Sequence, residues 1–214
     1  MTMVRTEHKT CCVCGETIPV SVCLSYSQFG KTGPTLDGWH SGVPYGCMVE
    51  FCRHCGYASH DIAESPVQPG VMNTKPYRDI LKQRWIDDSC KAYLCVAQFK
   101  AADGDFKGAF WASIRAAWIC DNDGYWQGAE DYRTKALEMM RRSHEKGGIV
   151  SDTSVRDGLL QADLLRRTGS FQQAKDAVMR TLKCNPDAEL MRLLRFEQRL
   201  IEQVDKAAHW AKEA

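Results

Sequence analysis

The sequence predicts an α+β protein: a small N-terminal β unit followed by an all-α domain of stacked helices. Three observations predict it. Two C-x-x-C-G motifs, Cys11-Cys12-Val13-Cys14-Gly15 and Cys52-Arg53-His54-Cys55-Gly56, sit in a region of short β-type runs and turn formers. From Pro76 onward, apolar residues recur at helical spacing. Between the two regions lies ESPVQPGVMNTKP, whose three prolines read as a linker. Residues 1–70 are therefore taken as the β unit with its linker, and residues 71–214 as the helical domain.

In the first region TIPVSVCLSY reads as a strand, with Val20, Val22 and Leu24 alternating. GCMVEFC reads as a second strand entering the second cysteine pair, and Tyr57 to His60 can continue it. The stretch SQFGKTGPTLDGWHSGVPYG between them is packed with turn formers.

Thr74 and Pro76 mark a helix start, because proline in the first turn forfeits no hydrogen bond. Tyr77, Ile80 and Leu81, then Cys90, Tyr93, Leu94 and Ala97, follow at helical spacing, with a break near Asp87-Asp88-Ser89. Asp103-Gly104-Asp105 ends that stretch. Phe106, Ala109, Phe110, Ser113, Ala116 and Cys120 form the next stripe, closed by Asp121-Asn122-Asp123-Gly124. Trp126 to Met140 continues as a helix ending at Lys146-Gly147-Gly148. Three more helices are expected at about 154–168, 171–184 and 187–211.

The stretch VRDGLLQADLLRRTGSFQQAKDAVMRTLKCNP resembles a tetratricopeptide repeat: Ala162 and Ala174 take the small contact positions, Leu165 the large one, Gly169 the turn and Pro186 the end. Gly158, where that family often carries tryptophan, departs from the pattern and is expected to weaken local packing. AYLCVAQFKAADGDFKGAFWASIRAAW matches in the same register through Ala97, Gly104, Phe106, Ala109 and Ala116. LMRLLRFEQRLIEQVDKAAHW reads as a capping helix, with Leu190, Leu193, Leu194, Leu200, Ile201 and Val204 facing the stack. An ordinary helical bundle is the alternative.

The 214 residues are 44% hydrophobic and 26% charged, ordinary values for a globular protein. Twenty-eight Lys+Arg against 27 Asp+Glu leave a net charge of +1, which supplies no global field toward nucleic acid or anionic lipid. No apolar run approaches a membrane span, and MTMVRTEHKT shows no apolar signal core, so a cytoplasmic location is expected. In a reducing compartment eleven cysteines are not expected to form a disulfide framework. Cys23, Cys47, Cys90, Cys95, Cys120 and Cys184 are expected to be small buried hydrophobes.

The clustered cysteines point to metal. Four thiolates suit Zn²⁺, whose tetrahedral shell they fill and close to substrate. A glycine after each second cysteine permits the tight knuckle that turns backbone N–H groups toward sulfur. Cys11, Cys14, Cys52 and Cys55 are thus the expected ligands of a structural zinc, and residues 1–70 a zinc ribbon. Cys12 is left as a non-ligand, and His54 points to solvent. Redox use of C-x-x-C needs a βαβ setting that the chain lacks. A catalytic zinc needs an open position and a base; Asp37 and Glu50 are the nearest carboxylates in sequence, and nothing in the sequence fixes either near the cysteines. No phosphate loop, nucleophile elbow or H-E-x-x-H motif is present.

The first C-x-x-C-G, then Ser27-x-Phe29-Gly30, an aspartate-bearing loop, and Cys52 to Ala58 as C-x-x-C-G-Y-A together resemble an uncharacterised prokaryotic family of unknown function. In that family an N-terminal zinc ribbon precedes tetratricopeptide-like helices. The resemblance implies metal ligation by the same four cysteines and nothing further, because that family has no assigned activity. LDGWHSG departs from the arginine-containing loop expected there.

A zinc-stabilised, non-enzymatic scaffold for a protein or peptide partner is the leading functional expectation. Trp39, Trp111, Trp118 and Trp126 are the candidate partner-binding residues, with filling of helix interfaces as their other reading. Arg141-Arg142 and Arg166-Arg167 read as solvated helix faces. Association with nucleic acid is the alternative function, through Arg5, Lys9, Lys31, Trp39 and Arg53. An enzyme would need a pocket between ribbon and helices, lined by His40, His60 and carboxylates.

Overall fold

The computed structural model describes residues 3–25, 45–66 and 68–214. The order is β1 (Met3–Thr10), β2 (Thr17–Ser25), a 3₁₀ turn at Tyr45–Cys47, β3 (Glu50–Phe51), β4 (Ala58–Ser59) and a 3₁₀ turn at Pro69–Asn73. Seven helices follow: α1 (Lys75–Lys82), α2 (Asp88–Ala102), α3 (Phe106–Asn122), α4 (Trp126–Glu145), α5 (Ser154–Arg167), α6 (Phe171–Leu182) and α7 (Ala188–Glu202). Strands first and helices after is the expected α+β class.

β1 and β2 pair antiparallel from Met3 opposite Ser25 to Thr10 opposite Thr17, so the first cysteine motif is the tip of this hairpin. β3 and β4 pair with Glu50 opposite Ser59, and the second motif is the tip of that one. β1 has no counterpart in the sequence reading: MVRTEHKT is mostly exposed and shows no buried alternation, so β2 rather than a hydrophobic face holds it. GCMVEFC is a 3₁₀ turn followed by a two-residue strand, not one long strand. The proline-rich linker is itself packed, with Val71 buried in the 3₁₀ turn.

Short polar side chains cap most helices, each taking an otherwise orphaned N–H. Thr74 Oγ1 accepts from Tyr77 N, Asp87 from Cys90 N at 2.6 Å, Asp105 from Gly108 N at 2.8 Å, and Asp187 from Leu190 N at 2.8 Å. Three helix pairs share one turn. Asp103-Gly104-Asp105, Asp123-Gly124-Tyr125 and Thr168-Gly169-Ser170 each carry the glycine at φ near +80° (80°, 77° and 77°). In each, the third residue's N–H returns to a carbonyl five positions back: Lys100, Cys120 and Leu165. Only glycine takes that backbone without strain. An aromatic residue (Phe106, Trp126 or Phe171) then opens the next helix. The α3–α4 turn is thus a third instance of a pattern that the sequence shows clearly in two places.

A continuous core runs from Tyr45, Val49 and Ala58 of the β unit through α1–α4 to Leu160 and Leu164 of α5. A second cluster joins α5, α6 and α7 through Leu159, Ala162, Ala174, Val178 and Leu194. A third lies beneath the cysteine tips, with Val20, Tyr57 and Ile62. Two buried tyrosines tie helices to the β unit: Tyr77 donates to the Gly56 carbonyl at 2.8 Å, and Tyr93 to that of Tyr45 at 2.9 Å.

Four expectations are corrected. The last helix stops at Glu202, not near 211; Val204 adopts φ +58° and is 64% exposed, so it does not face the stack. Gly158 does not loosen packing: a Cβ there would stand 2.1 Å from Thr181 Oγ1, so the glycine lets α5 and α6 touch. Arg166 is wholly buried and Arg167 largely so, not solvated, because carboxylates from other elements reach them. Among the scattered cysteines Cys90, Cys95 and Cys120 are buried, whereas Cys184 is exposed and Cys23 and Cys47 are half-buried.

Candidate metal centre

The two cysteine tips are built alike. Gly15 N–H donates to the Cys11 carbonyl at 2.8 Å, and Gly56 N–H to that of Cys52 at 2.7 Å. Cys11 N–H donates to the Glu16 carbonyl at 2.9 Å, and Cys52 N–H to that of Tyr57 at 2.8 Å. Both glycines sit at positive φ, 76° and 80°, the conformation that lets each chain turn back on its first cysteine. Gly56 has a second reason to lack a side chain, since a Cβ would meet Leu81 Cδ1 at 2.5 Å.

This paired geometry brings four sulfurs together. Cys11 Sγ lies 3.7 Å from Cys55 Sγ, and Cys14 Sγ 3.7 Å from Cys52 Sγ. All four are within 4.8 Å of one another. A tetrahedral ion with metal–sulfur bonds of about 2.3 Å holds its sulfurs about 3.8 Å apart. The four thiols are therefore spaced to surround one metal ion. Cys11 and Cys52 are fully buried, and Cys14 and Cys55 complete the cluster toward the surface.

The electrostatics favour a cation there. The Glu16 N–H directed at Cys14, aided by the His54 ring, lowers that thiol to about 6. Burial pushes Cys52 and Cys55 up, although the Tyr57 N–H opposes it at Cys55 just as that of Glu16 acts on Cys14. Neighbouring sulfurs cannot all carry charge without compensation, and a divalent ion offsets both repulsion and burial.

The surroundings are occupied by structural contacts. Cys12 points away, its sulfur 3.0 Å from the Glu64 carbonyl. His54 is exposed and hydrogen-bonds Cys14, which raises its pKa. His60 Nδ1 lies 2.8 Å from the Met48 carbonyl. Glu50 is held by Lys9 at 2.7 Å and accepts from Ile62 N at 2.9 Å. Trp39, with His40, Asp37, Lys31 and the Ser27–Gly30 motif, lies outside the described residues. Trp111 is half-buried and donates to the Val150 carbonyl at 2.8 Å. Trp118 is buried with its ring 5.5 Å from that of Tyr45, while Trp126 is 67% exposed.

Sequence reasoning missed the buried charge clusters. Arg166 bonds Asp163 and Glu197, both at 2.6 Å, and Arg133 pairs with Asp121. Asp157 collects Val150 N, Ser151 N, Ser151 Oγ and His144 Nε2 within 3.0 Å. That set resembles an acid–base group, but the donors make it a clamp for the loop entering α5. An Asp or Arg inside an otherwise apolar helical stripe was the available signal.

Fold and site together define an α+β protein carrying a four-cysteine cluster of metal-binding dimensions on its β hairpins. No family model, no curated protein and no solved structure matches the chain. The cysteine cluster followed by a helical domain is compatible with the family resemblance drawn from the motifs. No helix among the described residues is long and apolar enough to cross a membrane.

Proposed function

We propose that this chain is a zinc-binding, non-enzymatic interaction scaffold, in which Cys11, Cys14, Cys52 and Cys55 hold a structural Zn²⁺. The carrying observation is the convergence of four sulfurs from two hairpin tips of matching geometry. Zinc is the metal that an all-thiolate tetrahedral set selects where no redox change is required, and four protein ligands leave no position for substrate. On this reading residues 1–70 form a zinc ribbon, and residues 71–214 a tetratricopeptide-like array that presents its surface to a protein or peptide.

The charge pattern supports a protein partner over nucleic acid. Three cations that would serve a phosphate backbone are already paired: Arg5 with Glu7, Lys9 with Glu50 and Asp61, and Arg53 with Asp88. Such pairing removes the unbalanced charge that counterion release requires.

The test has two arms. Freshly purified protein is expected to carry one zinc per chain, with four sulfurs at about 2.3 Å by X-ray absorption. Nitrogen or oxygen ligands, or an open position, would overturn the structural assignment. For the scaffold, affinity capture from the native cell is compared with a Cys52→Ser/Cys55→Ser control. The expected result is a protein that binds purified chain saturably and with little dependence on salt; capture of nucleic acid alone would refute it.

A further inference from the structure

Among the described residues β1 is paired on one side only, by β2, in a sheet of two strands. Two observations fix which of its backbone groups face the other way. Cys11 N–H donates to the Glu16 carbonyl at 2.9 Å, and the pairs Lys9–Ile18, Glu7–Val20 and Arg5–Val22 follow at every second residue. In an antiparallel ladder these pairs exchange hydrogen bonds, and the residues between them turn their N–H and C=O groups outward. Pro19 stands opposite His8, on one of those outward rungs, where a missing N–H takes no bond from the ladder. Val4, Thr6 and His8 therefore hold out backbone donors and acceptors along an open edge, and all three residues are exposed.

The edge closes near the cysteine tip. The outward N–H of Cys12 donates to the Ile62 carbonyl at 2.9 Å, and Lys9 is tied to Asp61 at 3.2 Å. From Val4 to His8 no other strand takes its place. An extended edge of that kind is a template for another strand unless proline, a bulge or repelling charge blunts it. This stretch has no proline, its ladder is regular from Val4 onward, and its two charges, Arg5 and Glu7, have opposite signs.

The edge is complementary to itself. A two-fold axis at Thr6 sets Thr6 opposite Thr6 and Val4 opposite His8 of a second copy. All of these residues face outward, so the free backbone groups of the two strands meet. The same register sets Arg5 opposite Glu7 of the second copy, and Glu7 opposite its Arg5. Within one chain Arg5 already pairs with Glu7, so charge would alternate around a ring of four side chains. Neighbouring registers fail. An axis at His8 brings Cys12 of one copy opposite Val4 of the other, where Ile62 already holds the edge. An axis at Val4 sets Arg5 opposite Met3, with no charge to match.

We propose that two copies of this chain form a symmetric dimer by antiparallel pairing of their β1 strands, in the register centred on Thr6. The dimer uses the outer edge of the first hairpin and does not depend on the partner proposed for the helical array.

Sedimentation equilibrium of the full, zinc-loaded chain between about 1 and 300 μM tests it. The weight-average mass should rise from 24.2 kDa toward twice that value with increasing concentration. Arg5→Glu and Glu7→Arg each set like charges across the axis, and each alone should weaken association about tenfold. An equimolar mixture of the two variants should regain the wild-type affinity, because every cross-strand pair is then of opposite sign. Thr6→Pro removes the outward N–H at the axis and should also prevent association, while the bonds of Arg5 and Glu7 to β2 remain. Zinc content and circular dichroism of each variant report that the hairpin is intact. A chain that stays monomeric throughout would overturn the proposal and leave the edge to a different strand. A dimer indifferent to both charge reversals, or a mixture that fails to recover, would overturn it equally.

Discussion

Arg166 Nε donates to Glu197 Oε1 across 2.6 Å, with both side chains closed off from solvent, and this pair fastens α5 to α7. Arg166 also bonds Asp163 on its own helix and two carbonyls beyond α7, so one guanidinium satisfies four acceptors. Burial, together with the charge of Asp163, raises the Glu197 pKa, which makes its ionised form dependent on Arg166. Arg166→Met should therefore cost about 3–5 kcal/mol, because it strands buried carboxylates. Arg166→Met/Glu197→Leu should recover part of that loss. Urea unfolding of these two variants and of Glu197→Leu alone checks it; a double-variant loss equal to the sum of the two single losses would show that the pair is not coupled.

Asp157 should set the acid limit of the helical array. Burial drives its pKa up, but hydrogen bonds from Ser151, His144 and the N–H groups of Val150 and Ser151 outweigh that and hold it below the ordinary carboxylate value. A lowered folded pKa contributes stability that is complete above the unfolded value and is lost as pH falls through the folded one. Stability should thus decline with acidification below about pH 4. Asp157→Asn should remove that component of the slope and cost about 2–3 kcal/mol near neutrality. Thermal unfolding between pH 3 and 7 reads both effects.

Stripping the metal should act locally first. Chelation, or Cys55→Ser, should raise amide exchange at residues 11–16 and 52–57, where the paired hydrogen bonds of the two tips depend on sulfur position. Amides of α3 and α4, farther from the tips, should stay protected. Exchange measured by mass spectrometry with and without chelator decides it; unchanged tips would argue against a bound ion.

Gly158→Ala should destabilise by about 1–3 kcal/mol through overpacking, since the new Cβ meets Thr181 Oγ1 at 2.1 Å and Cγ2 at 2.9 Å. Gly158→Ala/Thr181→Ala removes both of those atoms and should regain much of the loss. Denaturant midpoints of these two variants and of Thr181→Ala alone measure the coupling.

Much of this architecture was legible because its causes are local. The repeated C-x-x-C-G names the ligand chemistry and the backbone conformation of each tip at once, and the turns at Gly104 and Gly169 announce themselves by residue type. The helix start at Thr74-Pro76 and the break near Asp87 are read from residue type, and the structure shows the cause as caps three residues from the N–H they serve. β1 was not legible, because its support is the pairing of Lys9 with Ile18 and its neighbours rather than any pattern of its own. Val204 was placed on the stack by periodicity, which cannot register where a helix stops.

By itself the sequence determined the α+β order, the four cysteines that can meet, and the glycine turns between helices, since each follows from side-chain chemistry or backbone sterics within a few residues. Only the tertiary structure decided that Gly158 is a contact and that Arg166 is buried. Those facts depend on partners such as Thr181 and Glu197, and no local preference carries the distance between residues so far apart in the chain.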